Sequence, residues 1–209
     1  MSDPVVRAIG IETPHGPARV HLHDVDRPRG AVILGHGAGG GVGAPDLVTA
    51  SKAAQEAGYS VGLVEQPYRV AGRRSPAPAH QLDTAWVAVV EQLRSGELAG
   101  LPLVTGGRSS GARVACRTAA ATGAIGVLCL AFPLQPPRRT GPPSASRLPE
   151  LESVEVPVLV IQGERDMFGM PPEGRSRTVV RVTGDHGLKA DRAASAAAAR
   201  SWLEALVSR

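Results

Sequence analysis

The stretch GGRSSGARVA, residues 106–115, sets two serines between glycines, with an apolar run before it and a helix-forming run after it. Gly107, Ser109 and Gly111 fit the pattern G-x-S-x-G. Where a chain reverses from strand to helix at a serine, that residue's backbone is strained, and the residues two before and two after must be small. Such a bend lifts the Ser109 hydroxyl clear of a sheet and leaves the Ser110 backbone N–H at a helix N-terminus. The competing reading is a glycine-rich turn with a capping serine. Ser110 is the rival nucleophile, but its flanking spacing is wrong.

A hydroxyl is a weak nucleophile near neutral pH and needs a base within hydrogen-bond reach. The chain has six histidines. His15, His21 and His23 fall in an N-terminal hairpin, His36 in a glycine-rich loop and His80 at the start of a helix. Only His186, in VTGDHGLK, lies between the last predicted strand and the last predicted helix. A base of this kind needs an orienting carboxylate. Asp166, in VLVIQGERDMFG, stands three residues past Gly163 at a predicted strand end. Glu164 is placed for a turn or a surface pair. Asp185 adjoins His186 and is poorly placed to face its ring. Asp166 also suits a plain turn.

Acyl chemistry also needs donors for a developing oxyanion. GHGAGGG follows the apolar run at residues 31–34. Ala38 is the expected loop donor, with Gly39 the competing choice and Ser110 the second donor. Losing one such donor typically costs about 3 kcal/mol of transition-state stabilisation. The same glycines, Gly35, Gly37 and Gly40, match the dinucleotide fingerprint G-x-G-x-x-G, with Glu65 placed as a ribose-binding acid. Against that reading, Pro45 puts the helix start several residues too late, a hairpin precedes the strand, and Ser109, Asp166 and His186 are left without a role. A phosphate-binding loop lacks its Lys-Ser/Thr pair.

Two loops are expected to shape a pocket. One carries Tyr68, Arg69, Arg73 and Arg74; the other spans residues 132–147 and opens with Phe132. Gly39, Tyr68, Arg69, Arg73 and Phe132 are candidate substrate contacts. Arginine there is suited to grip a carboxylate through paired hydrogen bonds, and a solvated loop paired with surface acids is the alternative.

The elements that must position these groups alternate. A hairpin (VVRAIGIET, then ARVHLHD) leads into apolar strands at residues 31–34, 59–65, 101–106, 124–132, 156–163 and 177–182. Helices are predicted from Pro45 to Gly58, over residues 81–95, over 110–122 and from about Ala190 to Val207, with a short one possible near residue 148. Strands alternating with helices imply a mostly parallel sheet covered on both faces, with the hairpin as an antiparallel edge. In such sheets ligands bind outside the carboxyl ends of the strands, where all the candidates fall. With 209 residues, and no repeat or composition break, one domain over residues 1–209 is expected.

Composition narrows the partners. The net charge is +4 and the pI about 9.7, but the basic residues are nearly all arginines interspersed with acids. Abundant Gly, Ala, Pro and Arg fit a GC-rich coding sequence as well as an acidic partner, so nucleic acid is not expected. No run approaches the roughly 18 apolar residues of a membrane span, and the first 30 residues lack a leader's apolar stretch. The expectation is a cytoplasmic monomer or homodimer without metal or cofactor, acting on a small-molecule acyl substrate. Cys116 and Cys129 read as small buried hydrophobes.

Taken together, GHGAGG, PYRVAGRR, GGRSSGARVA, FPLQPP, VLVIQGERDMFG and GDHGL resemble the small dienelactone-hydrolase-like α/β-hydrolases. More narrowly, they resemble a group that includes a human testis-expressed protein and a subunit of a nonspecific-lethal chromatin complex. The resemblance runs from about residue 30 to the C-terminus. It implies an α/β-hydrolase core with little or no lid and with Ser109, Asp166 and His186 in the triad positions, in that family's chain order. Dienelactone hydrolases proper use cysteine as nucleophile, so dienelactone is not carried over as substrate. Some members of the narrower group serve as non-enzymatic subunits, which makes an idle partner subunit the alternative to an active serine hydrolase.

Overall fold

The computed structural model describes residues 6–137, 140–141 and 144–206. An eight-stranded sheet forms its centre. The strands are β1 (Val6–Ile11), β2 (Ala18–His23), β3 (Gly30–Gly35), β4 (Tyr59–Glu65), β5 (Leu103–Arg108), β6 (Gly126–Leu130), β7 (Val158–Gly163) and β8 (Arg177–Val182), in the spatial order β1-β2-β4-β3-β5-β6-β7-β8. β1 and β2 pair antiparallel, β2 meets β4 antiparallel, and every other pair is parallel. This is the α/β-hydrolase fold expected from the sequence, with the hairpin at its edge. Val5 and Val207, at the expected ends of the first strand and last helix, lie outside the described residues.

Why the middle strands read as unbroken apolar runs is plain from their burial. All six residues of β3 and of β7 are buried. Alternate side chains face opposite sides of a strand, and both sides here are covered. Val32 and Leu34 point into one core with Tyr59, Leu128, Leu130 and Ile161, under α1 (Pro45–Glu56) and the C-terminal helix. Ala31 and Ile33 point into the other, with Trp86, Val90 and Leu93 of a long helix. The Tyr59 hydroxyl, buried on the first face, donates to the Leu203 carbonyl at 2.8 Å and so fixes the last helix against β4.

Four more helices complete the layers up to β7. A short α2 (Pro67–Val70) interrupts what the sequence suggested was a plain loop. Pro67 opens it, where a missing N–H is harmless. Then come α3 (Ala79–Ser95), α4 (Ser110–Thr122) and the short α5 (Leu148–Glu152). The C-terminal α6 is Arg192–Leu206. Among the described residues the stretch between β6 and β7 holds only one helix, α5, five residues long.

Strand order reverses between β3 and β5: β4 lies on one side of this pair and β6 on the other. A cleft opens outside the strand ends at such a switch point. Gly35 and Gly107 are register partners there, which brings the loop after β3 beside the bend after β5.

Candidate active site

Ser109 stands between β5 and α4 with φ 52° and ψ −106°. A non-glycine residue pays strain for that conformation, so the surroundings must enforce it. The Ser109 N–H donates to the Leu130 carbonyl of β6 at 2.9 Å, and its own carbonyl accepts from the Arg113 N–H at 3.2 Å. Both flanking glycines answer to space, and Gly107, at φ 157°, to backbone freedom as well: a Cβ on either Gly107 or Gly111 would overlap the Gly35 carbonyl oxygen. The glycines of G-x-S-x-G are thus required because β3 runs hard against the bend.

The other two sequence candidates converge on this serine. His186 Nε2 lies 3.0 Å from Ser109 Oγ, and His186 Nδ1 lies 2.8 Å from Asp166 Oδ2. Asp166 follows β7 and His186 follows β8, so three strand ends supply the three groups. The Asp166 carboxylate has no exposed side-chain surface. Besides His186 it accepts from Gln162 Nε2 at 2.8 Å and from the Phe168 N–H at 2.9 Å. A carboxylate at Nδ1 requires the imidazole proton there, which leaves Nε2 as the acceptor for the Ser109 hydroxyl. The Phe168 ring packs on the imidazole, centroids 4.4 Å apart. Asp185 instead makes a local turn, its Oδ1 accepting from the Gly187 N–H at 2.9 Å.

On the other side of Ser109 lies the loop after β3. His36 is buried. Its Nε2 faces the Gln66 N–H at 3.2 Å and its Nδ1 faces the Gly37 carbonyl at 2.8 Å. A backbone N–H donating to Nε2 fixes the proton on Nδ1, so His36 donates to Gly37. Burial pushes His36 below the ordinary imidazole value, in keeping with a neutral ring. The Gly37 carbonyl also accepts from the Gly40 N–H at 3.1 Å. In a trans peptide the N–H points opposite to the carbonyl, so holding the Gly37 oxygen aims the Ala38 N–H. Tyr68 holds the next peptide: its hydroxyl donates to the Ala38 carbonyl at 2.8 Å, and burial pushes the phenol up to about 12. Neither the Ala38 nor the Ser110 N–H finds an acceptor among the described residues.

The remaining candidates are placed less uniformly. Gly39 is part of the turn above the site, with open space where a Cβ would be. Tyr68 lies under the Ala38 loop rather than out on a rim. Arg69 donates to the Arg73 carbonyl at 3.3 Å. Arg73 is exposed and lines a cavity of about 100 Å³ with Gln66, Tyr68 and Gln81. Phe132 corrects the expectation of a pocket wall: it is fully buried, packed with Ala112, Cys129, Leu151 and Val160. Ala131, with φ 49°, turns the chain so that the ring continues the inward face of β6. Glu65, the supposed ribose acid, is 3.1 Å from His21 and 3.6 Å from Arg19.

Gln162, Asp46 and Arg108 were not singled out from sequence. Gln162 is fully buried and bonds Asp166, the Phe132 carbonyl and the Gly169 carbonyl. Its signal was there: one amide in the otherwise apolar strand VLVIQG. Among the described residues no group of three or more His, Cys, Asp or Glu is placed to hold a metal ion. No helix among them is long and apolar enough to cross a membrane.

A family model described as an alpha/beta hydrolase domain matches residues 28–208, and the chain belongs to that family. Its fold is that of several solved structures. One is XC6422 from Xanthomonas campestris, described as an α/β serine hydrolase without lid (23% identity, TM-score 0.71, 97% of each chain covered). Another is Est1E from Butyrivibrio proteoclasticus (14% identity, TM-score 0.78, 97% of this chain and 99% of that one). A third is the dienelactone hydrolase of Anabaena variabilis (18% identity, TM-score 0.74, 96% and 97%). No curated protein matches the chain.

Proposed function

We propose that this protein is a serine hydrolase cleaving an ester or related acyl bond of a small molecule, with Ser109, His186 and Asp166 as its catalytic triad. The observation that carries this reading is the continuous chain of hydrogen-bond distances Ser109 Oγ–His186 Nε2–Nδ1–Asp166 Oδ2, at 3.0 and 2.8 Å, hung on a serine with φ 52°. A strained serine, its base and the base's orienting carboxylate are the parts that acyl transfer needs.

In this mechanism the Ser109 oxygen attacks the acyl carbon while its proton passes to His186 Nε2. The imidazolium is stabilised by Asp166, whose carboxylate is held in turn by Gln162. The Ala38 and Ser110 N–H groups receive the oxyanion. Collapse expels the leaving group, which takes the proton from Nε2. Water, deprotonated by the same nitrogen, then releases the acid and restores Ser109. No cofactor enters. The intact constellation favours an active enzyme over an idle partner subunit of the kind found in the narrower group it resembles.

The test is turnover of short p-nitrophenyl esters. Wild type is expected to show saturable hydrolysis, and Ser109→Ala is expected to lose at least about a thousandfold in kcat. Equal turnover by the two proteins would refute the assignment.

A further inference from the structure

The residue before the nucleophile joins three loops. Arg108 Nε donates to Asp46 Oδ2 at 2.6 Å, and its Nη2 donates to the main-chain carbonyl of His186 at 3.2 Å. Its Nη1 occupies the space over Gly37, where a Cβ would come within 2.7 Å of it. Asp46, whose side chain is 2% exposed, is fully engaged: its other oxygen accepts from the Leu47 N–H in the first turn of α1 at 2.9 Å.

A buried ion pair is a weak source of stability, because the desolvation of both charges offsets their attraction. An apolar pair would fill the same space at no electrostatic penalty. What this pair supplies is geometry. Asp46 stands in the first turn of the helix that follows the Ala38 loop, Arg108 belongs to the Ser109 bend, and His186 sits on the loop after β8. These are 62 and 78 residues from Arg108 along the chain. Asp166 fixes the His186 ring from the side-chain end. Among the described contacts, Arg108 is what fixes its main-chain carbonyl.

We propose that Arg108 is a positioning residue: anchored by Asp46, its guanidinium clamps the His186 main chain to the Ser109 bend and keeps the imidazole within reach of the hydroxyl. The inference rests on the hydrolase reading above. Arg108 does not touch the reacting atoms. It acts through His186, so its loss slows the chemical step and leaves substrate affinity alone. A displacement of about 1 Å in a catalytic group is enough for a hundredfold loss. The planar fork serves two acceptors at once, which a lysine ammonium on a flexible stem does not do in the same geometry.

The experiment measures kcat and KM for p-nitrophenyl acetate, and labelling rates with a fluorophosphonate, in wild type, Arg108→Met and Arg108→Lys. Arg200→Ala, which breaks the exposed pair with Glu56, is the control. Both Arg108 variants are expected to lose about 10- to 100-fold in kcat with KM within twofold, and guanidinium ion added to Arg108→Met is expected to restore part of the loss. Arg200→Ala stays at the wild-type rate. If Arg108→Met fails to fold with Asp46 left unpaired, the double variant Arg108→Met/Asp46→Leu replaces the pair by apolar chains and is expected to fold and remain slow. Wild-type kcat in Arg108→Lys or in the double variant, or a loss confined to KM, overturns the positioning role while the hydrolase reading stands. A wild-type protein inert to both probes overturns both.

Discussion

The bend at residues 107–111 and the segment at residues 66–78 leave the carboxyl ends of β5 and β4, the two strands that flank β3. In the bend, each essential residue is dictated by its immediate neighbours. Gly107 and Gly111 are glycines because the Gly35 carbonyl leaves no room for more, and Ser109 is held at φ 52° between β5 and α4. In the segment after β4, residue type says little about use. Its arginines suggested a carboxylate grip or a solvated loop, and the exposure of Arg73 and Arg74 is compatible with either. The residues there that bear on the site are Gln66, whose N–H donates to His36 Nε2, and Tyr68, through one hydroxyl hydrogen bond to Ala38. A backbone packed too tightly for a side chain writes itself into residue type even when the neighbour is another strand; support delivered by one side chain does not.

The most severe way to break this contrast is to add a methyl group in the bend. Gly111→Ala overlaps the Gly35 carbonyl, and the expected outcome is loss of soluble folded protein or a destabilisation above about 3 kcal/mol, read from denaturant unfolding. The matching substitution at the open Gly39 is expected to leave stability within about 1 kcal/mol. Next comes the support of Asp166. Gln162→Leu removes one of the carboxylate's donors and is expected to lower kcat about tenfold or more, as loss of an orienting partner does elsewhere, with KM little changed in ester assays.

Tyr68→Phe sharpens the comparison from the other side. It removes the hydroxyl that holds the Ala38 peptide but keeps the ring. The expected loss in kcat is about tenfold, smaller than removal of an oxyanion donor itself, and Arg74→Ala in the same segment is expected to change stability by no more than about 0.5 kcal/mol.

The smallest effect concerns pH. His36 is held below its ordinary value by burial, with the Gly37 hydrogen bond opposing. The unfolded chain therefore takes a proton near pH 6.5 that the folded chain refuses. The resulting stability is present above that value and lost as pH falls toward the folded one. His23, also lowered by burial, adds to the same slope. Urea midpoints are expected to fall as the pH is lowered from 7.5 to 5.5, with a shallower slope in His36→Gln.

The order of strands and helices was legible because β3, β6 and β7 are buried on both faces and so read as apolar runs, and because Pro45 and Gly58 mark the ends of α1. Ser109, Asp166 and His186 were legible from their places after strands. The α2 turn was hidden in a segment rich in proline and arginine. Phe132 misled because a ring just after a strand reads equally as a pocket wall or as the end of a core. Asp46 and Arg108 escaped for a different reason: they meet across 62 residues that only the sheet topology brings near, whereas Gln162, four residues before Asp166, was signalled by being the one amide in an apolar strand.

The central claim is that Ser109 is the activated nucleophile. It is tested most directly by treating the protein with a fluorophosphonate and locating the adduct by peptide mass spectrometry. The account predicts one adduct, on Ser109, absent from Ser109→Ala and slowed by about a thousandfold or more in His186→Asn. An adduct on Ser110, or labelling of Ser109 at an unchanged rate without His186, would contradict it.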